Sequence, residues 1–167
     1  MSEQIEYKII DNFLPENEFK NISDMLMNKD FPWYYSDYIT RHYENKTNNS
    51  FYFIHMFFNN LIANSQLYTH LFPITDRLSM KSIMRAKANL YPNCDKLIEH
   101  DMHTDYNFEH QAAIFYINTN NGYTKLKDGT KIESIANRVL IFKGNDLHCS
   151  TTCTDQQARI NINFNYF

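Results

Sequence analysis

Four residues in the second half of the chain have side chains that can bind a metal ion and an acidic ligand. His103 and Asp105 form a His-x-Asp pair, His148 follows far downstream, and Arg159 follows in turn. Two imidazoles and one carboxylate on one face of a metal leave its other positions open, as in non-haem Fe(II) sites that activate oxygen. Arg159 can hold an anionic co-substrate beside the metal. The pattern predicts an open iron centre with His103, Asp105 and His148 as catalytic and metal-binding residues.

The His-x-Asp pair alone is weak evidence for a metal. On a strand, residues two apart point to the same side, so His103 and Asp105 can share a pocket. Such a histidine is more often at the surface or buried with ordinary hydrogen bonds. A rival pair, His42 and Glu44, lies in an irregular segment without a distal partner. The histidines that we expect to be structural or solvent-facing are His55, His70, His100 and His110. The order of the whole set favours the metal.

The side chain of Arg159 is predicted to face the same interior as the metal pair, since it alternates with apolar residues in the last strand-like segment. A buried guanidinium needs an anion, which can be a protein carboxylate or a dicarboxylic co-substrate. The sequence leaves both open. Asn161 on the same face, with Asn89 and Tyr91 on an earlier strand, can add hydrogen bonds to a co-substrate. Core packing is the alternative for Tyr91.

The elements that must position these residues change character near the middle of the chain. A helix is predicted to begin at Pro15, with Phe19, Ile22 and Leu26 at helical spacing, and a second helix is predicted over 51–64. The second half has the alternation and turn residues typical of strands. The predicted strands are 82–91, 97–105, 111–118, 123–126, 130–133, 137–142, 147–151 and 157–166.

This order of elements predicts a mainly β fold with some α structure. It is a double-stranded β-helix, that is, a jelly-roll or cupin-like barrel, flanked by N-terminal helices. We expect a single domain over 1–167, with 1–81 as mainly helical support and 82–167 as the jelly-roll core. In the last strand, the Ile and Phe face is predicted to pack on the helices and the Arg and Asn face to line the barrel.

Composition narrows the class of protein. The chain has 167 residues, a hydrophobic fraction of 43% and a net charge of −3. This balance gives no electrostatic reason to bind nucleic acid or a membrane surface. The cysteines Cys94, Cys149 and Cys153 have no disulfide or metal-site spacing, so we predict ordinary thiols. Without a signal segment or a long apolar run, the sequence predicts a cytoplasmic location.

The chain resembles the Fe(II)- and 2-oxoglutarate-dependent dioxygenases, in particular the prolyl-4-hydroxylase-like group and its small phage-encoded relatives. The resemblance begins at "DNFLPENEF" (11–19) and continues through "NLYPNCDKLIEHDMHTD" (89–105) and "AIFYINTNNGYTKLKDGT" (113–130). It ends with "NRVLIFKGNDLHCSTTCTDQQARININF" (137–164). The ordered set of His-x-Asp, tyrosine-rich strand, Asn-Gly-x-Thr turn, distal His and trailing Arg is more specific than any one motif.

The resemblance implies an assignment of roles. His103, Asp105 and His148 would bind Fe(II), and Arg159 would hold the distal carboxylate of 2-oxoglutarate. With O₂ as the oxidant and ascorbate as a candidate reductant, the implied reaction is hydroxylation with release of succinate and CO₂. Related halogenases lack the carboxylate that Asp105 supplies, which favours hydroxylation.

The chain departs from the prolyl-hydroxylase pattern at its last motif. That group commonly has Lys where this chain has Arg159, and many relatives have Arg-x-Ser where this chain has Arg-Ile-Asn. The departures keep co-substrate binding but weaken the transfer of proline as the substrate. The sequence leaves a peptidyl side chain and a small molecule open.

The substrate side of the site is less defined. The aromatic segment 31–49 can form a lid or anchor its rings in the core, and Tyr106 and Asn107 are the best candidates for the pocket rim. Two other functions remain open: a cupin-like metalloprotein that does not use 2-oxoglutarate, and a non-catalytic barrel that binds it.

Overall fold

The computed structural model of the protein describes residues 5–39 and 51–167 and consists mostly of strands. In chain order the strands are β1 (Tyr7–Ile10), β2 (Tyr34–Ser36), β3 (Tyr52–Asn59), β4 (Ile62–Ala63), β5 (Ile83–Pro92), β6 (Gln111–Tyr116), β7 (Asn120–Leu126), β8 (Lys131–Ser134), β9 (Arg138–Lys143), β10 (His148–Ser150) and β11 (Ala158–Tyr166). The helices are α1 (Glu16–Met27), a 3₁₀ helix (Gln66–Leu71) and α2 (Phe72–Arg77). None of these helices combines the length and apolar character needed to cross a bilayer.

Two antiparallel sheets form a jelly roll, so the predicted fold class is confirmed. The large sheet has the order β1-β9-β6-β11-β5-β3-β2, with β4 paired to β3, and the small sheet has the order β10-β7-β8. Apolar residues of both sheets share one buried cluster, including Ile114 and Leu140 from the large sheet and Leu126 and Ile132 from the small one. The space between the sheets is therefore the barrel interior.

Strand β11 separates the two cores, as its alternation predicts. Ile160, Ile162 and Phe164 lie in a buried cluster that also contains Ile22 and Leu26 of α1. This confirms that the apolar face of the strand packs on a helix. The opposite face carries Arg159 and three buried asparagines, and it points between the sheets. The faces are distinct because successive strand residues point to opposite sides.

The predicted helix over 51–64 is wrong. Residues 52–59 form β3, which pairs with both β2 and β5. Asn60 and Leu61 follow with positive φ angles of 51° and 62°, which turn the chain toward β4. The apolar residues of the segment fit both the helical period of about 3.6 residues and the strand period of about 2 residues, and its aromatic content favours a strand. The part before residue 82 therefore adds the strands β1 to β4 to the large sheet, beside its helices.

The predicted strand over 97–105 is also wrong, whereas the other seven predicted strands match β5 to β11. In this segment the pairing is limited to isolated bridges from Glu99 to Thr151 and from His103 to His148. Its polar sequence offers no apolar face to pack on a sheet. Long-range backbone bonds fix it instead, including those from His100 N to Ser150 O and from Thr152 N to Ile98 O.

Candidate metal centre

The structure brings the three predicted metal ligands together. His148 is the first residue of β10, whereas His103 and Asp105 lie at the end of the irregular segment before β6. One potential ligand atom from each residue lies within 4.8 Å of the other two. Metal–ligand bonds of about 2.0–2.2 Å place neighbouring ligand atoms roughly 3–4 Å apart. Small side-chain rotations would therefore bring all three onto one ion.

Backbone hydrogen bonds, and not a continuous strand, place these ligands. His103 and His148 form an isolated antiparallel bridge in which each N–H donates to the other's carbonyl oxygen at 2.9 Å. Asp105 N donates to Gly144 O at 3.1 Å. Directly paired residues in antiparallel chains project side chains to the same side. The two imidazoles therefore meet, with ring centroids 4.6 Å apart.

Both imidazoles are oriented for metal binding through Nε2. Nδ1 of His103 lies 3.2 Å from the carbonyl oxygen of Asp101, and Nδ1 of His148 lies 2.9 Å from that of Asp146. A carbonyl only accepts, so each Nδ1 carries the proton and Nε2 keeps its lone pair. Burial, and then the neighbouring His148, lower the pKa of His103 to about 4. His103 is therefore neutral at pH 7, as a ligand must be.

The carboxylate of Asp105 is held at both oxygens. Arg85 donates to Oδ1 at 2.6 Å, while Asn165 and Asn163 donate to Oδ2 at 2.8 and 3.2 Å. Burial favours a raised pKa for Asp105, but the charges of Arg85 and His148 and the hydrogen bond from Asn165 hold the pKa well below its usual range. Asp105 is therefore ionised, and its donors fix its orientation.

A pocket opens beside the two histidines. Its wall comes from β5, β6, β7, β10 and β11, so both sheets contribute. The lining residues are Asn89, Tyr91, His103, Ile114, Thr124, His148, Cys149, Ser150, Asn161 and Asn163. The wall is mostly polar, which suits a polar ligand.

Arg159 is fully buried and has neutral partners. Its Nε donates to Ser134 Oγ at 2.7 Å and Nη2 donates to Thr124 Oγ1 at 3.2 Å, with a long contact of 3.5 Å from Nη1 to Thr151 O. No Asp or Glu within residues 5–39 and 51–167 forms an ion pair with it. An uncompensated buried charge is costly. Of the two alternatives left by the sequence, the structure therefore disfavours a protein carboxylate among the described residues.

Three residues around Arg159 were not found by sequence reasoning. Tyr116 O–H donates to Thr124 Oγ1 at 2.8 Å, and the Tyr116 ring lies 5.7 Å from the guanidinium. With Ser134, these hydroxyl groups surround the Arg159 side chain, and Thr124 is the one of the three residues that lines the pocket. The signal for Thr124 was the Asn-Gly-x-Thr turn, whose threonine points toward Arg159. Tyr116 and Ser134 come from other strands, and only the sheet register brings them close.

Three of the four predicted co-substrate residues, Asn89, Tyr91 and Asn161, line the pocket, whereas Arg159 lies behind its wall. Asn89 and Asn161 are direct partners on β5 and β11, and Asn89 Nδ2 donates to Asn161 Oδ1 at 2.9 Å. Asn89 Oδ1 is buried without a hydrogen-bond partner among the described residues. The Tyr91 ring lies 5.4 Å from the Arg159 guanidinium and stacks on Tyr52. Tyr91 therefore both packs and lines the pocket.

The aromatic segment is divided between core and surface. Phe31 is buried, whereas Tyr34 and Tyr35 on β2 are 61% and 65% exposed. Residues 40–49 of the segment that was considered for a lid, which include His42 and Glu44, lie outside the described residues.

The predicted rim residues lie beside the metal ligands and outside the pocket wall. Tyr106 is half-buried, with its ring 5.4 Å from the Arg85 guanidinium, and Asn107 is exposed. Neither belongs to the lining residues described above. They flank the carboxylate ligand on the side of Arg85.

The remaining histidines and the cysteines are mostly structural. His70 is exposed, and His55 is buried with Nδ1 bonded to Pro32 O. His100 is buried with Nδ1 2.8 Å from Ser150 Oγ. His110 is also buried but belongs to a larger network considered below. The three cysteines are free thiols, as predicted.

Comparison with known proteins shows a similarity in fold to solved structures. No protein-family model and no curated protein matches the chain. A prolyl-4-hydroxylase of Pseudomonas putida superposes with a TM-score of 0.65 at 13% identity, covering 98% of this chain and 93% of that one. A Trichoplax adhaerens prolyl hydroxylase, in complex with a hypoxia-inducible-factor peptide, gives 0.67 at 13% identity over 96% and 83%. A viral collagen prolyl hydroxylase of Paramecium bursaria Chlorella virus-1, in complex with 2-oxoglutarate, gives 0.61 at 12% identity over 95% and 94%. The chain therefore has the fold of these oxygenases.

Proposed function

We propose that this protein is an Fe(II)- and 2-oxoglutarate-dependent dioxygenase that hydroxylates a peptidyl side chain or a small molecule. The observation that carries the proposal is the combination of two features at one pocket: His103 and His148 line it, and Arg159 contacts the lining residues Thr124 and Tyr91. A His-Asp-His set can hold a metal, and the buried cation of Arg159 has no acidic partner within the described residues. The first feature suits an open iron centre, and the second calls for an anionic ligand.

The residues present fit both groups. Two imidazoles and an ionised carboxylate are the donor set of an open Fe(II) site. Arg159 would pair with the distal carboxylate of 2-oxoglutarate, and the Thr124 hydroxyl group, which accepts from Tyr116, would donate to the same carboxylate. The unpartnered Oδ1 of Asn89 is a further polar contact in the wall. The binding energy from these polar contacts orients the co-substrate toward the histidines.

When bound, iron and 2-oxoglutarate would supply the oxidation: O₂ is consumed, one oxygen atom enters a substrate C–H bond, and the other enters succinate as CO₂ is released. The chain's own contribution is to keep His103 neutral, to hold Asp105 in one orientation and to shield the Arg159 end from water. These roles follow from the burial and hydrogen bonds around each residue. Ascorbate is the proposed reductant, and the free thiols agree with a proposed cytoplasmic location.

The substrate class is part of the proposal. The Trichoplax structure contains a peptide, which supports a peptidyl substrate for a chain of the same fold. A small molecule remains within the proposal. The competing functions receive less support from the site, because a cupin-like centre without 2-oxoglutarate has no need for the Arg159 anion site. A binding barrel has no need for an open metal face.

The test is an anaerobic titration with Fe(II) and then 2-oxoglutarate. A chelated keto acid gives a visible charge-transfer band, so we expect a band that appears only when both are present. Succinate should then form when O₂ is admitted. A folded, metal-loaded protein that develops no band would support the cupin-like function. A band without any succinate formation would support a binding barrel.

A further inference from the structure

His110 lies behind the carboxylate ligand although its position in the sequence gave no reason to connect it with the metal. It precedes β6 and is 2% exposed. Its Nδ1 lies 2.9 Å from the carbonyl oxygen of Phe108, and its Nε2 lies 3.1 Å from Nδ2 of Asn165. Because the carbonyl accepts, Nδ1 carries the proton and Nε2 is an acceptor. His110 therefore accepts a hydrogen bond from the Asn165 amide.

The Asn165 amide uses both of its hydrogens at this site. One N–H points to Nε2 of His110 and the other to Oδ2 of Asp105, at 2.8 Å. Asn165 is fully buried, and its Oδ1 has no hydrogen-bond partner among the described residues. The opposite amide orientation would place an oxygen against the Asp105 carboxylate. Asn165 is thus the donor to both His110 and Asp105.

Gly144 keeps this network compact. Its N–H donates to His110 O at 2.9 Å, and its carbonyl oxygen accepts from Asp105 N at 3.1 Å. A methyl group at this position would lie 2.0 Å from Nε2 of His110. The imidazole therefore packs against the same glycine that fixes the backbone of the carboxylate ligand.

We propose that His110 is a positioning residue for the metal centre, acting through Asn165 to fix the orientation of the Asp105 carboxylate. The inference rests on the proposed function, because it concerns the same metal. With Arg85 bonded to Oδ1 and Asn165 to Oδ2, the carboxylate cannot rotate without losing a bond at each oxygen. A fixed carboxylate binds an ion in one mode and leaves the remaining positions open.

His55 offers a matched control for His110. Both histidines are buried, at 3% and 2% exposed, and both have Nδ1 2.9 Å from a backbone carbonyl. They differ at Nε2, which contacts Asn165 in His110 and has no partner among the described residues in His55. A general effect of losing a buried imidazole would therefore appear in both.

The experiment measures the affinity of the full chain for Mn(II) alone, with the electron paramagnetic resonance spectrum of the bound ion as a second readout. We expect His110→Leu to weaken Mn(II) binding about 10–100-fold, as for other groups that orient metal ligands, and to change the spectrum. His55→Leu should change neither. His110→Gln should retain most of the affinity, because its amide oxygen can accept from Asn165.

A double-mutant cycle tests whether His110 acts through Asn165. Asn165→Leu should weaken Mn(II) binding, and adding His110→Leu to it should cause little further loss. Independent, multiplying losses would overturn the proposal, as would wild-type affinity in a folded His110→Leu protein or an equal loss in His55→Leu. Failure of the wild-type chain to bind Mn(II) would instead overturn the metal centre on which the proposal rests.

Discussion

Gly122 lies directly against the side chain of Arg159. A methyl group at position 122 would lie 2.6 Å from Cδ of Arg159 and 2.6 Å from the carbonyl oxygen of Thr152. Both distances are too short for non-bonded heavy atoms, and the Thr152 oxygen belongs to the backbone. Glycine at this place in β7 therefore makes room for the buried guanidinium.

Gly122→Ala should displace Arg159 and weaken 2-oxoglutarate binding about tenfold or more, since a hydrogen bond to a charged group contributes about 1.5–3 kcal/mol. Fe(II) affinity should stay unchanged, because the metal ligands are on other segments. Titration of the charge-transfer band measures the 2-oxoglutarate affinity. Gly129→Ala is the control: Gly129 has a φ of 89° and no neighbour within 4 Å of an added methyl, so it should lose stability without losing co-substrate affinity.

Arg159→Met should raise the 2-oxoglutarate concentration needed for half-maximal succinate formation by at least about tenfold, because methionine fills space but cannot pair with a carboxylate. The rate at saturating 2-oxoglutarate should change less, because this contact also exists in the ground state. Arg138→Met is a suitable comparison. Arg138 is the first residue of β9, pairs with Asp11 and does not line the pocket. An unchanged 2-oxoglutarate requirement in Arg159→Met would exclude Arg159 from co-substrate binding.

Asp105→Ala should abolish Fe(II) retention and 2-oxoglutarate turnover, because it removes a charged ligand and leaves Arg85 without its carboxylate. Metal content after desalting and succinate yield are the measurements. Asp11→Ala removes a carboxylate that is also paired with an arginine but is largely exposed, and it should leave both quantities unchanged. Normal turnover in the Asp105 variant would contradict the iron assignment.

The stability of the metal-free protein should decrease as the pH falls from 6.5 to about 4. Burial, and then Arg159 and His103, lower the pKa of His100 to about 3, while burial and His148 lower that of His103 to about 4. Both values lie below the ordinary 6.5, so the unfolded chain binds more protons in this range and the free energy of unfolding falls. Urea denaturation in the presence of a chelator measures this. In His100→Asn the free energy of unfolding should depend less steeply on pH. An equal slope in the wild-type and His100→Asn proteins would argue against a contribution from His100.

The sequence predicted the parts of the fold whose signal is local. The alternation of β11 assigned the inward face of Arg159 and Asn161 correctly, because one strand carries the whole pattern. The segment 51–64 was misassigned because its apolar residues suit two periods. The segment is a strand because it pairs with β5, and this pairing cannot be predicted from the residues of the segment alone.

The candidate metal ligands could be proposed from the sequence, but their surroundings could not. His103, Asp105 and His148 have side chains whose chemistry is evident from type and order. The grouping holds although 97–105 is not a strand, because backbone bonds to β10 replace the expected alternation. Ser134 and Tyr116 reach Arg159 through sheet register. His110 was predicted to be structural or solvent-facing because it does not share a strand face with His103 and Asp105.

The irregular segment 97–105 also determines what a bound metal ion would do for the fold. The segment has no strand pairing beyond two bridges, and its attachment to β10 depends on a few backbone bonds. Such segments open locally at a lower free energy than the strands around them. An ion bound by His103, Asp105 and His148 would cross-link the segment to β10 and raise that opening energy by mass action. Loss of the metal would then speed amide hydrogen exchange in 97–105 while β11 stays protected. The ion would thus stabilise the segment that supplies two of its own ligands.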